Sequence, residues 1–224
     1  RKRVEYVTTD MYKPYIDLAK KVFPNANIVV DKFHIVQLLT RELNKLRINE
    51  MKKLNTRSRE YKILKRYWKI PLTRKRDLNS IYFYKNRHFK NMTSSIDILD
   101  YMLKEFPNLK DAYDFYQNFL LSISNNDVAM LEDILNTRTD EIPMCFRKSI
   151  KSLKKLRKYV VNSLKYDYTN AMVEGKNNKI KVIKRVSYGY RSFRNFKARI
   201  MLMERYKIQN GNIHSYQFAM DAAA

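Results

Sequence analysis

Cysteine is almost absent from this 224-residue chain, and the single Cys145 excludes an intramolecular disulfide and any cysteine-built zinc cluster. A lone thiol also suits a reducing compartment. Glycine and proline are scarce, at three and five residues, while 45% of the chain is hydrophobic. That balance excludes a disordered chain and predicts a folded, helix-rich one, long enough for one good core or a core plus an inserted subdomain. No uninterrupted apolar run approaches a membrane span, and no signal-peptide pattern is visible. Because the chain opens on Arg1 rather than Met, it is expected to be a fragment or a processed chain.

Acids are the other shortage. Forty-six Lys and Arg face 22 Asp and Glu, a net charge of +24 with a pI near 10.0. An excess of that size favours a polyanionic partner, because each neutralised phosphate releases counterions. A membrane surface would attract the same charge, and a ribosomal-type structural role is a plainer alternative. The charge is blocked: residues 41–90 hold 17 cations against four acids, and residues 142–210 hold 19 against three. Between them, residues 91–141 carry ten acids against three cations, which predicts distinct surfaces.

Residues 3–9 (RVEYVTT) read as a short strand with Asp10 at its end, and residues 11–22 as a helix with Pro14 in its first turn. A second strand, NIVV, ends at Asp31, so the opening is an α/β unit rather than a bundle. For Asp10, capping of the following helix is the plain structural role. From Ile35 the pattern is helical over 35–55, with Arg41, Lys45 and Arg47 flanking the apolar stripe, and again over 59–70. Tyr67 and Trp68 lie among cations there, but packing is the expected role of each. Further helices are predicted over 76–84, 95–105, 109–122 and 127–136, the last with Asn125 or Asn126 as N-cap, then over 144–166 and 192–207. Residues 208–224 read as a tail.

One stretch carries the densest chemistry, NAMVEGKNNKIKVIKRVSYGYRSFRNFKAR, from Asn170 to Arg199. Helical spacing puts Val173, Ile180 and Ile183 on one apolar side. Glu174, Asn178, Lys181 and Arg185 form a polar stripe away from it. Such a face could hold a divalent metal on Glu174 and a phosphate on Lys181 and Arg185. Periodicity alone favours an ordinary amphipathic helix with a solvated basic face.

The run EGKNNKIKVIKR followed by YGYRSFRNFKAR resembles the C-terminal motif of bacterial insertion-sequence transposases of the ISL-three type. The run TTDMYKPYIDLAKKVFPNANIVVDKFHIV resembles the same family's segment around its second catalytic Asp. The resemblance covers residues 4–39 and 168–204 closely, and the stretch between them as a helical, basic insertion. It implies an α/β, mostly helical chain: a partial RNase H-like core interrupted by a large all-α insertion. The expected division is 1–35 for the first part of the core, 36–167 for the insertion, 168–207 for the closing helices and 208–224 for the tail.

Function follows as an expectation from the same resemblance. The family is a DDE transposase, cutting and joining DNA at insertion-sequence ends, with Asp10 and Glu174 as two of its three acids. Those acids would hold two Mg²⁺ or Mn²⁺ ions about 3.5–4 Å apart. The first Asp of the family lies on a strand upstream of this segment, so it is expected to precede Arg1. Asp31 and His34 match a family pattern in DKFHI and, with Asn177, are expected to support the site or the helix entry rather than bind metal. From the helix face, Asn178, Lys181, Lys184 and Arg185 are expected to contact DNA, with Arg191 and Arg194 beyond them. Implied partners are transposon-end and target DNA and further copies of the chain, without a membrane, in the bacterial cytoplasm at the nucleoid. The competing reading is a non-catalytic DNA-binding protein or inactive remnant, which shares the charge but does not need the acids. Either reading predicts steeply salt-dependent binding: titration of a labelled duplex should show affinity falling by about 10³-fold or more between 50 and 200 mM salt. A flat salt response would overturn the polyanion assignment.

Overall fold

A computed structural model describes residues 1–209 and 212–215, with side chains described as far as Met203. The chain forms two compact units, Arg1–Thr169 and Asn170–Ala224. The first is an α/β unit dominated by helices.

Strand β1 (Tyr6–Thr9) pairs in parallel with β2 (Asn27–Val30), with Thr9 opposite Val30, and helix α1 (Lys13–Val22) makes the crossover. A parallel pair needs such a crossover, and α1 buries Ile16 and Ala19 while Pro14 sits harmlessly in its first turn. β1 is shorter than the expected 3–9. Helix α2 (Lys32–Lys52) begins three residues before the expected Ile35, because the Asp31 carboxylate caps it by accepting the Phe33 N–H at 2.8 Å.

Helix α3 (Arg59–Arg66) ends before the expected Ile70, in a 3-10 turn around Pro71. The helix expected over 76–84 is absent: a 3-10 turn at Lys75–Asp77 is followed by irregular chain. Asn79 explains the difference, since its Oδ1 accepts from the N–H groups of Ile81 and Tyr82 and its Nδ2 donates to the Tyr82 carbonyl. Local side-chain bonds of this kind compete with helix formation.

Helix α4 (Ser95–Glu105) starts in a capping box between Ser94 and Asp97, and α5 (Pro107–Ser124) follows directly. α5 ends with Asn126 in the left-handed conformation (φ 55°), its N–H on Ile123 and the Asp127 N–H on Ser122. The cap of α6 (Val128–Asn136) is therefore Asp127, accepting from Met130, and not Asn125 or Asn126. The single helix expected over 144–166 is two helices, α7 (Arg147–Lys155) and α8 (Arg157–Lys165), broken at Leu156. Neither Gly nor Pro marks the break; tertiary packing imposes it. α7 turns Ile150 and Leu153 into the helical core, whereas Asn162 of α8 donates to the Ile28 carbonyl of β2 at 2.9 Å.

One hydrophobic cluster runs through this unit, from Ile16, Ile28 and Val30 through Leu39, Leu64, Met102 and Phe119 to Leu153 and Leu164. Tyr67 packs against it, as expected, but Trp68 is 41% exposed with Lys69 Nζ 5.5 Å from its ring. Cys145 is partly buried, and burial pushes its thiol up to about 11, so it stays protonated at neutral pH.

In the second unit, α9 (Ala171–Val186) and α10 (Phe193–Arg205) are joined by a tight turn. Tyr188 (φ 53°) and Gly189 close α9 by donating to the carbonyls of Arg185 and Lys184. Lys179 Nζ reaches the Met203 carbonyl at 3.0 Å and ties the two helices. Of the three expected apolar anchors only Ile183 is buried, at 2% exposure, while Val173 is 59% exposed. Strand β3 (Tyr206–Gln209) begins inside the expected closing helix, which ends at Arg205, and pairs antiparallel with β4 (Asn212–Ser215) in the expected tail. Residues 210, 211 and 216–224 of that tail lie outside the described residues.

Arg47, expected on the solvated flank of α2, is instead 5% exposed, with Nη1 donating to the Leu64 carbonyl at 2.7 Å and Nε to Asn44 at 2.9 Å. It satisfies an orphan carbonyl in the last turn of α3, and desolvation lowers its pKa. Arg47→Met keeps the bulk but strands that carbonyl, and should cost about 1–3 kcal/mol in urea unfolding. Unchanged stability would show that water replaces the cap.

Candidate functional site

Two parallel strands place the ends of both on one edge. Asp10 and Asp31 each follow the last residue of a strand, and the paired neighbours Thr9 and Val30 bring them out side by side. The Asp31 N–H continues the ladder by donating to the Thr9 carbonyl at 3.1 Å. The carboxyl ends of parallel strands are where open α/β sheets gather their ligands.

The two acids differ in what they do there. Asp31 is 4% exposed; one oxygen caps α2 and the other accepts from the Thr169 hydroxyl at 3.2 Å. Its lone pairs are engaged in structure. The Asp10 side chain is 46% exposed, and its Oδ1 lies 2.9 Å from Nε2 of His34, one turn into α2. Asp10 does not cap α1: the residue at that cap is Tyr12, without a side-chain bond. At the opposite end of β1, the Tyr6 ring lies tilted against those of Tyr166 and Tyr168, with centroids 4.9 and 4.6 Å away. Thr169 and these tyrosines had no signal in sequence, since they lie more than 130 residues from their partners.

Glu174 lies in the first turn of α9, where a carboxylate is favoured by the helix dipole. Glu174, Asn177, Asn178, Lys181, Lys184 and Arg185 are all exposed along that helix, as are Arg191 in the turn and Arg194 at the start of α10. Lys184 and Arg185 occupy the last turn, the end that favours cations. This face carries one acid and several cations, a composition suited to an ion and a phosphate.

Among the described residues no group of three or more His, Cys, Asp or Glu side chains could hold a metal. A caged structural ion is not what this donor set fits. Mg²⁺ ordinarily takes one or two carboxylates and completes its shell with water and substrate phosphate, a pattern open to the half-exposed Asp10 carboxylate in its unit and, separately, to the exposed Glu174 in the other.

The family model described as transposase, of the ISL-three DDE type, matches residues 1–200. The chain belongs to this transposase family. A protein of Lactococcus lactis subsp. lactis named "ATP-dependent protease" is 38% identical over 121 residues, covering 54% of this chain and 38% of the relative. The transposase chain thus spans much less than two thirds of that relative. No solved structure matches it. No helix among the described residues is long and apolar enough to cross a membrane.

The Asp31 arrangement generates a stability prediction. Asp31→Ala should cost about 1–2 kcal/mol by removing the α2 cap, and Asp31→Asn should recover most of it, because an amide oxygen still accepts the Phe33 N–H. Urea unfolding of both variants checks this, and equal losses would show that the charge rather than the cap matters.

Proposed function

We propose that the whole protein is a metal-dependent DDE transposase that cleaves and joins DNA at insertion-sequence ends. On this reading Arg1–Thr169 holds part of an RNase H-like core with its helical insertion, and α9 returns the last acid. The observation that carries it is an exposed Asp10 at the carboxyl edge of a parallel strand pair, in a chain whose family match also spans Glu174.

Asp10 and Glu174 serve as carboxylate ligands, as the second and the last of the three acids of a DDE enzyme. Two Mg²⁺ or Mn²⁺ ions bound there would lower the pKa of the attacking water or 3′-OH and stabilise the leaving 3′ oxygen. The chain's own residues do the rest. His34 Nε2 stands 2.9 Å from the Asp10 carboxylate, and Asp31 caps the helix that carries His34. Asn178, one turn after Glu174, orients that carboxylate or a phosphate. Lys181, Lys184 and Arg185 offset phosphate charge, and Arg191 and Arg194 extend the track along the DNA backbone. Strand transfer needs two DNA segments together, which a pair of chains would supply.

A second reading is a DNA-binding protein without catalysis, favoured by the same charge and indifferent to the acids. The name of the lactococcal relative would suggest an ATP-binding loop. A P-loop needs G-x-x-x-x-G-K-[ST], and glycines at 175, 189 and 211 do not form one.

In the whole protein, Glu174→Gln and Asp10→Asn should each lower Mg²⁺-dependent nicking of a supercoiled plasmid by about 10³-fold or more, with duplex affinity within about twofold. The amides keep shape but lose the charge that holds metal. Persistent cleavage by the Glu174→Gln variant would refute the assignment, and acid variants that preserve all function would favour the binding-only reading.

A further inference from the structure

A second concentration of charge lies in the helical region. Arg57, Arg59, Lys62, Arg87 and His88 line an open cavity of about 520 Å³. The two halves of this set are 25 or more residues apart in sequence and meet only in the fold. Among the described residues, no carboxylate forms an ion pair with Arg57, Arg59, Lys62 or Arg87. The neighbouring acid, Glu60, accepts the Tyr101 hydroxyl at 3.3 Å.

The cavity is built rather than incidental. Arg59 Nε donates to the His88 carbonyl at 2.6 Å, and its guanidinium sits 5.0 Å from the Phe89 ring and 4.8 Å from the Tyr101 ring. Buried Asn86 accepts the His88 N–H at 3.0 Å and donates to the Tyr67 hydroxyl, so the Arg87–His88 pair is held from behind. Burial, together with Arg87, Arg66, Lys62 and Arg59, lowers the His88 pKa from its ordinary value. The imidazole is therefore neutral at neutral pH, and the field of the cavity comes from the four fixed cations. Like charges gathered this closely repel, and an anion among them relieves the repulsion.

The loop that supplies Arg87 and His88 also exposes aromatics. Its base is closed by paired backbone bonds between Tyr84 and Thr93, and Asn79 fixes its start. Ile81 and Tyr82 are each 77% exposed and Phe83 52%. Four residues of chain keep Phe83 within about 14 Å of Arg87, roughly two nucleotides along an extended strand. Cations beside exposed rings are the two elements of a single-strand platform, one for backbone and one for bases. A free anion would use only the cations.

We propose that this cavity holds backbone phosphates of a DNA strand whose unpaired bases stack on Tyr82 and Phe83. The site uses none of the acids and shares with the proposed function only DNA as partner.

Fluorescence anisotropy on the full chain tests it, with a blunt duplex, a duplex carrying a single-stranded tail, and phosphatidylserine vesicles as probes. Arg57→Gln, Lys62→Gln and Arg87→Gln together leave the packed Arg59 in place. This variant should weaken tailed-DNA binding by about tenfold or more and make the log–log salt slope shallower by about two to three. Tyr82→Ala with Phe83→Ala should lose about fivefold or more on the tailed duplex and nothing on the blunt one. Melting curves establish that each variant is folded. The proposal falls if the triple variant keeps the parent's affinity and slope, or if the aromatic variant loses equally on both duplexes. It also falls if the triple variant loses vesicle binding while DNA binding is untouched. A Lys181→Ala, Arg185→Ala variant separates the two readings: if it weakens DNA binding and the triple variant does not, DNA remains the partner and the cavity is not its site. A parent chain that binds no DNA would overturn both.

Discussion

The Asp31 residue ties together three parts of the chain: the strand pair, the start of α2 and the end of the first unit. Its backbone extends the strand pair, one oxygen starts α2, and the other takes the hydroxyl of Thr169 at the end of the first unit. Capping is worth about 1 kcal/mol by itself. Its larger consequence is directional, because it sets where α2 begins and so which residue stands one turn later beside Asp10. That residue is His34. A buried acid thus sets which side chain stands beside a half-exposed one.

From that anchor α2 runs the length of the core. Ile35, Leu39 and Leu43 are fully buried on it, and Arg47 closes the end of α3 farther along. The strands and the helical region are consequently parts of one hydrophobic cluster. The acidic stretch of 91–141 contributes its apolar faces to this cluster through α4, α5 and α6, and its carboxylates remain on other faces. α5 meets the basic α2 through the Thr40 and Tyr116 hydroxyls, 2.8 Å apart, as well as through apolar packing. Charge blocking in the sequence therefore maps onto surfaces, while burial follows hydrophobic periodicity.

The cations divide between two settings. Those of α9 and α10 sit exposed on a helix pair held by its own turn and by Lys179. Those of the cavity come from α3, the residues just before it and a distant loop, and Arg59 among them is held by two rings and the His88 carbonyl. A single helix face is periodic and can be read along the chain. A cavity made from two segments cannot.

The sequence by itself determined the α/β opening, the NIVV strand to the residue, the 95–105 helix, and the motifs that mark the transposase family. These depend on local periodicity, capping residues and turn formers, which act over a few positions. It misplaced the helix over 76–84, because an Asn side chain outcompeted the helical backbone, and it missed the break at Leu156, because β2 rather than any breaker residue sets it. It read Arg47 as solvated when a carbonyl 17 residues away buries it. Only the tertiary structure decided that Asp31 is buried and the Asp10 side chain half exposed, since both follow strands and both precede helices. What separates them is Thr169, 138 residues downstream of Asp31, a contact that no local pattern encodes.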